Sequence, residues 1–380
     1  MFAKKLKGTT LICAFLLACS PSEPPPRQSW SVESVLGNAA GDEGFARALA
    51  PRRFHFPEDH GAHPAFRSEW WYLTGNLEAQ TGRRFGFQVT LFRQGFNRAA
   101  GDRPSKWAVE NIWMGHAAVT DVKNKTHRGR ERFSRGGPGM AGAQLQPFKV
   151  WLDDWVLRAD TAAAFPWRLD VGVDDFALAL RLTAMKPIVL HGDRGLSQKS
   201  EAAGNASYYY SLTRLKTQGQ VRLGAETFTV TGLSWLDREW STSALDSQQT
   251  GWDWFSLQLH SGEELMYYRL RKKGGGVHPS SSGTWVGVDG STLSLEAEEV
   301  ELTPLQWWEN DAGERYPVRW RLRLKAGQGD WIVEALVEDQ EMDLSFSYWE
   351  GAVVVLDAHS GQVRGRGYLE MTGYEPAAWR

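Results

Sequence analysis

Apolar residues recur at every second position along several stretches of this chain, and that period restricts the secondary structure more than any other feature. Phe85, Phe87, Val89 and Leu91 alternate with Gly86, Gln88 and Thr90. Trp167, Leu169, Val171 and Val173 alternate with Arg168, Asp170 and Gly172. Val318, Trp320, Leu322 and Leu324 alternate with three arginines, and Leu344, Phe346 and Tyr348 with two serines. Successive side chains on a strand point to opposite faces, so each stretch predicts a strand with one buried face. Turn-forming clusters lie between them, among them Thr81-Gly82, Gly274-Gly275-Gly276, Asp289-Gly290 and Asn310-Asp311-Ala312-Gly313. No long amphipathic helix is evident. The expected fold class is therefore all-β, antiparallel sheets or barrels rather than a doubly wound fold.

A faint twofold echo suggests two related β-barrels. Glu69-Trp70-Trp71-Tyr72 opens one set of strands and Gly251-Trp252-Asp253-Trp254-Phe255 the other. Each is an acid among tryptophans. The polar stretch between residues 241 and 250 is the expected junction, dividing the body into domains 51–243 and 244–380.

The chain start reads as an address. Lys4, Lys5 and Lys7 precede an apolar run, residues 11–18, too short to span a bilayer. It ends in Leu16-Leu17-Ala18-Cys19, similar to a bacterial lipobox. That resemblance implies cleavage before Cys19, lipidation of its sulfur and, with Ser20 next, anchorage in the outer membrane facing the periplasm. Residues 20–50 then form a proline-rich tether with a short helical lead-in. The two cysteines are Cys13 and Cys19, so the mature body holds no thiol, disulfide or Cys metal ligand. Its net charge changes from −2 to −5 on loss of the three lysines. Nothing in that balance favours a nucleic-acid partner.

The densest chemistry is Trp235-Leu236-Asp237-Arg238-Glu239-Trp240. If the stretch is extended, Trp235, Asp237 and Glu239 share one face and Leu236, Arg238 and Trp240 the other. Two carboxylates on one tryptophan-walled face tend to push one pKa up, and a carboxyl that stays protonated near neutrality can donate a proton. An Asp-Arg-Glu ion-pair cluster at a barrel rim fits the same pattern. Glu69 falls on an apolar strand face with Trp71 and Leu73, where a lone acid is costly, and Arg238 is a possible partner. Asp253 likewise shares a face with Phe255, Leu257 and Leu259. Tyr208 and Tyr210 point together and either orient a ligand or pack. The His55–His63 loop holds three His and two acids, but Pro57 and Gly61 imply no preset ligand geometry, so no metal is assigned. Gly-x-Ser-x-Gly and His-Glu-x-x-His are absent, and no cofactor is expected.

His63-Pro64-x-Phe66-x-x-Glu69-Trp70-Trp71-Tyr72, His191-Gly192-Asp193-Arg194-Gly195-Leu196-Ser197, Asn205-Ala206-Ser207-Tyr208-Tyr209-Tyr210-Ser211, the Trp235–Trp240 stretch and Gly251-Trp252-Asp253-Trp254-Phe255 together resemble the AttH/CrtC family. Its members include carotenoid 1,2-hydratase-like and kievitone hydratase-like proteins and predicted secreted hydrolases. The resemblance runs from about Phe45 to Tyr374. It implies a tandem pair of lipocalin-like barrels. It also implies that Asp237 matches the acid that protonates a double bond, with Trp235 in the place of an assisting Tyr and Tyr208 and Tyr210 in places like an upstream His and Trp. By family association, an ABC-type permease is a possible partner.

Two functions follow as expectations. One is an envelope-anchored binding protein holding a hydrophobic small molecule, lipid or isoprenoid-like, in an aromatic cavity between or inside the barrels. Its ligand-binding residues would be Glu69, Trp71, Tyr72, Tyr208, Tyr210, Trp235, Trp252, Asp253 and Trp254. The other is a hydratase or hydrolase with Asp237 as proton donor, Glu239 setting its pKa and Arg238 or Glu69 orienting it.

Overall fold

The computed structural model describes residues 44–96 and 110–374, apart from 138, 162–164, 244, 326 and 328. Cys19, the lipobox and most of the tether lie outside the described residues. Residues 44–50, the described end of the expected helical lead-in, contain no helix.

The described residues are almost wholly β-strand, with two 3-10 turns among them, Glu58–His60 and Ala297–Glu299. Strands between Ser68 and Ser243 form a 13-stranded antiparallel sheet, and those between Gln249 and Met371 a 10-stranded one. Each sheet curls into a near-closed barrel. The alternating stretches at Phe85, Trp167 and Val318 lie in strands Arg84–Gly95, Trp167–Gly172 and Arg315–Leu324. The Leu344 stretch is shorter than its alternation predicts: residues 344–346 form a bend, and the strand begins at Ser347.

Both barrel interiors are filled by side chains. Trp71, Phe87, Leu91, Trp155, Trp167 and Leu180 belong to the first core, and Phe255, Leu257, Trp320, Trp349 and Val353 to the second. The loop ahead of the first strand covers one end of the first barrel. His60 is 1% exposed, its Nδ1 lies 2.6 Å from the Tyr210 hydroxyl, and its ring packs edge-on against Trp167. Trp71 Nε1 donates to His60 O. The twofold echo has a physical counterpart here. Glu69 opposes Arg93 on the neighbouring strand, and Asp253 opposes Arg269 in the same way. In each barrel an acid on the inward face is neutralised by a cross-strand guanidinium.

The barrels pack through the outer faces of their strands. Tyr72, Met114, Ala118, Tyr209 and Trp235 from the first meet Trp254, Met266, Tyr268, Phe346, Tyr348 and Tyr368 from the second. Polar staples fix the docking. Gln258 donates to Thr213 O and Ser234 O, and Lys186 Nζ reaches Glu264 and the carbonyls of Gly262 and Gly287.

Candidate functional site in the seam between the barrels

A cavity opens in this seam, with about 100 Å³ available to the centres of water-sized molecules. At about 10–15 Å³ per water on that measure, it admits several waters or the end of a slender chain. Strand alternation supplies its walls. The strand Glu226–Ser243 presents Asp237 and Glu239 to the cavity, and Arg238 and Trp240 to the opposite side. Register places Tyr72 beside Asp237 and Trp70 beside Glu239 on one neighbouring strand. On the other, Ser211 pairs with Asp237 and Tyr209 with Glu239. The second barrel contributes Trp252, Trp254, Tyr268, Tyr348, Glu350 and Glu370.

Asp237 is 3% exposed. Tyr209 donates to its Oδ2 at 2.6 Å and Trp235 Nε1 to its Oδ1 at 2.6 Å, and Ser211 also donates to Oδ1. All three donors are neutral. Burial pushes the carboxyl up to about 7, and the nearby Glu239 adds to that rise against the pull of these hydrogen bonds. Behind Ser211 stands His191, with Nε2 at 2.6 Å from Ser211 Oγ and Nδ1 at 2.9 Å from Thr284 Oγ1 of the second barrel. Burial, helped by the charge of Lys199, brings His191 down to about 3, so the ring is neutral near pH 7. Glu239 pairs with Lys199 at 3.3 Å.

The second barrel's wall carries its own acids. Glu350 and Glu370 oppose each other directly in register, where cross-strand Cβ atoms lie about 4.5–5.5 Å apart. Burial and the mutual carboxyl interaction hold Glu350 well above the ordinary carboxylate range. Burial likewise pushes Glu370 up to about 8, with Asp237 and Glu239 adding to the rise. Tyr72 donates to Glu350 Oε1 at 2.5 Å, and Trp252 Nε1 donates to Glu370 Oε1 at 2.8 Å.

Of the residues singled out in the sequence, the structure brings Tyr72, Trp235, Asp237, Glu239, Trp252 and Trp254 together at this cavity. It places the others elsewhere. Glu69, Trp71 and Arg238 lie on the inward side of the first barrel: Arg238 and Arg93 both pair with Glu69, and Arg238 lies over the Trp71 ring. Arg238 and Glu69 are therefore not positioned to orient Asp237. Asp253 points into the second barrel, held by Arg269, Arg271 and the Tyr374 hydroxyl. Tyr208 and Tyr210 pack with Trp240 on the far face of their strand, Tyr208 donating to Ala50 O. The residues that face Asp237 from that strand are Tyr209 and Ser211. The family resemblance points to Tyr208 and Tyr210, whereas the pairing register, with bulges at 206/207 and 212/215, faces 209 and 211 to the Asp237 side. His191, Tyr348, Glu350 and Glu370 also escaped sequence reasoning, although Tyr348 and Glu350 share a face at period two.

Among the described residues, no group of three or more His, Cys, Asp and Glu is placed to hold a metal ion. The polar groups of the cavity are instead suited to moving protons in an aromatic surround.

Residues 47–374 match the AttH-like family. This chain belongs to that family. Among solved structures, an AttH-type protein of Nitrosomonas europaea is 34% identical, with a TM-score of 0.77, covering 87% of this chain and all of that one. Kievitone hydratase of Nectria haematococca has a TM-score of 0.64 at 17% identity, covering 88% of this chain and 97% of its own, and shares the fold. In sequence, kievitone hydratase of Fusarium solani subsp. phaseoli is 26% identical over 190 residues, 43% of this chain. That match spans 49% of the hydratase's length. A hydratase is thus among the relatives of this AttH-like protein.

Proposed function

We propose that this protein is a hydratase, adding water across an isolated carbon–carbon double bond of a lipophilic substrate held between the barrels. The observation that carries the reading is the Asp237 carboxyl itself, buried, bound only by neutral donors and facing a cavity walled by Trp and Tyr rings. In the proposed step, the Asp237 proton passes to one alkene carbon and positive charge develops on the other. The faces of Trp70, Trp252 and Trp254 suit that charge, since an aromatic ring attracts a cation by about 0.5–2 kcal/mol. A water in the cavity then forms the new C–O bond and gives up a proton, leaving an alcohol. Ser211 and His191 hold the Asp237 carboxyl in place from behind. The hydratase-type relative supports this choice of chemistry. The absence of a nucleophile elbow weighs against ordinary ester hydrolysis.

The lipobox supports a setting in the cell envelope, with the protein held to the outer membrane through Cys19. Handling a molecule supplied by an ABC-type permease fits that setting.

The test is incubation of the full-length protein in detergent with isoprenoid olefins, geranyl acetone and a prenylated phenol, read by mass spectrometry for the gain of water. The wild type is expected to hydrate at least one, and Asp237→Asn to lose about 100-fold or more in kcat while still binding it, as loss of a general acid entails. If instead no olefin is hydrated and the protein retains a stoichiometric lipid from its host, the cavity serves a carrier.

A further inference from the structure

Protonating an olefin is half of a hydration. The attacking water must also lose a proton, and a base on the wall opposite Asp237 would let that water add to the face of the double bond away from the proton donor. The wall formed by the second barrel offers a group built for this task. Tyr348 lines the cavity, and its hydroxyl lies 2.8 Å from His116 Nδ1. His116 Nε2 lies 2.9 Å from Glu131 Oε1. The Ser345 hydroxyl donates to the other Glu131 oxygen and fixes the carboxylate. His116 is fully buried among Phe92, Phe346 and Tyr348, whereas the Glu131 side chain is 15% exposed. The chain Glu131–His116–Tyr348 therefore leads from the solvent edge to the cavity.

Its directions are fixed by chemistry. A carboxylate accepts from Nε2–H, which leaves the Nδ1 lone pair to accept from the Tyr348 hydroxyl. A base oriented by a carboxylate and bonded to a hydroxyl is the arrangement that activates oxygen nucleophiles in hydrolases. Here the hydroxyl belongs to a tyrosine of the cavity wall.

We propose that Tyr348, backed by His116 and Glu131, takes the proton from the water that adds to the olefin, acting from the wall opposite the Asp237 barrel. This rests on the hydratase reading. As the C–O bond forms, an O–H bond of the water breaks and its proton goes to the Tyr348 oxygen. The Tyr348 proton passes to His116 Nδ1, and the imidazolium is balanced by Glu131 until its proton leaves to solvent. Tyr348 is the group touching substrate water, and His116 and Glu131 are positioning residues. The other carboxyls are less suited. Glu239 is committed to Lys199 and sits on the donor's own strand face. Glu350 and Glu370 are held protonated by burial. Burial raises the pKa of the Tyr348 hydroxyl, and of the titratable groups facing it (Glu131, Glu350, Glu370 and Tyr368) Glu131 is the one held as an anion, so a standing tyrosinate is disfavoured and proton exchange is favoured over charge storage.

Two measurements on the full-length protein decide it. In ¹⁵N-histidine NMR, His116 is expected to carry its proton on Nε2, with the Nδ1 resonance moving in Tyr348→Phe. A proton on Nδ1, or indifference to Tyr348→Phe, overturns the relay. Tyr348→Phe keeps the ring that packs on Phe346, so the fold is retained. In hydration of geranyl acetone or the prenylated phenol, Tyr348→Phe is expected to lower kcat about 100-fold with little change in KM. Glu131→Gln should lower kcat less and move the acidic limb of the pH profile downward, because Glu131 holds the His116 pKa up against burial. A merely structural Glu131 would slow the reaction without moving that limb. An active wild type with an equally active Tyr348→Phe overturns this role alone. A wild type that hydrates neither olefin overturns the hydratase reading and this role with it.

Discussion

The two faces of the Glu226–Ser243 strand bury acids to the same degree and treat them in opposite ways. On the inward face, Glu69 is fully buried and sits between the guanidiniums of Arg238 and Arg93, with the His63 amide donating to both its oxygens. Burial alone would raise its pKa, but the two arginines and His63 carry it well below the ordinary carboxylate range. On the outward face, Asp237 has donors just as close, but all are neutral, and burial wins. The charge of the partner, not depth, decides whether a buried carboxyl is an anion or an acid. The Glu69 cluster is a structural tie across the barrel end. Asp237 is poised to exchange a proton.

The largest test of this contrast is Glu69→Gln. It strands two buried guanidiniums and should cost about 3–5 kcal/mol in denaturant unfolding, the range for breaking a buried ion pair. The pH responses should also be opposite. The folded pKa of Glu69 is lowered, so its stabilisation is present above its ordinary value of 4.5 and lost as pH falls below it. That of Asp237 is raised, so its stabilisation is complete below 3.8 and lost as pH rises through about 7. Asp237→Asn should therefore be more stable than wild type at pH 8, by an amount on the order of 2–4 kcal/mol at ~1.4 kcal/mol per pH unit. It should show no such gain at pH 4. An Asp237→Asn protein less stable at both would place Asp237 with the structural acids.

Lys186→Met removes the ammonium that ties the first barrel to Glu264 and to two carbonyls of the second. It should cost about 1–3 kcal/mol. Because Glu264 keeps Arg214, the loss should appear as faster hydrogen exchange along the seam rather than inside either barrel. The smallest effect is expected at Tyr208. Tyr208→Phe loses one hydrogen bond to Ala50 O, worth about 1 kcal/mol, and should leave ligand binding and turnover unchanged. Tyr209→Phe should impair turnover, since it takes a donor from Asp237 and leaves Trp254 Nε1 without its acceptor.

That last pair shows where the sequence stops being informative. Which residues share a face is a local matter, because the side-chain direction reverses at every residue of a strand. Thus Trp235, Asp237 and Glu239 were legible as one group and Arg238 as another, and so was the partnership of Glu69 with Arg238. The strands at Phe85, Trp167 and Val318, and the paired motifs that head the two barrels, were legible for the same reason. Which tyrosine meets Asp237 depends instead on register across a bulged strand pair, and no count along one strand contains it. The position of the cavity was further out of reach. The sequence alone left it between or inside the barrels. The interiors proved to be packed with Trp, Phe and Leu, so the open space lies where two outer faces meet. That meeting brings Asp237 within one cavity of Tyr348, Glu350 and Glu370, more than a hundred residues away in the chain. The alternation of side chains determined what each strand could offer, and only the docking of one barrel on the other decided which of those offers face each other.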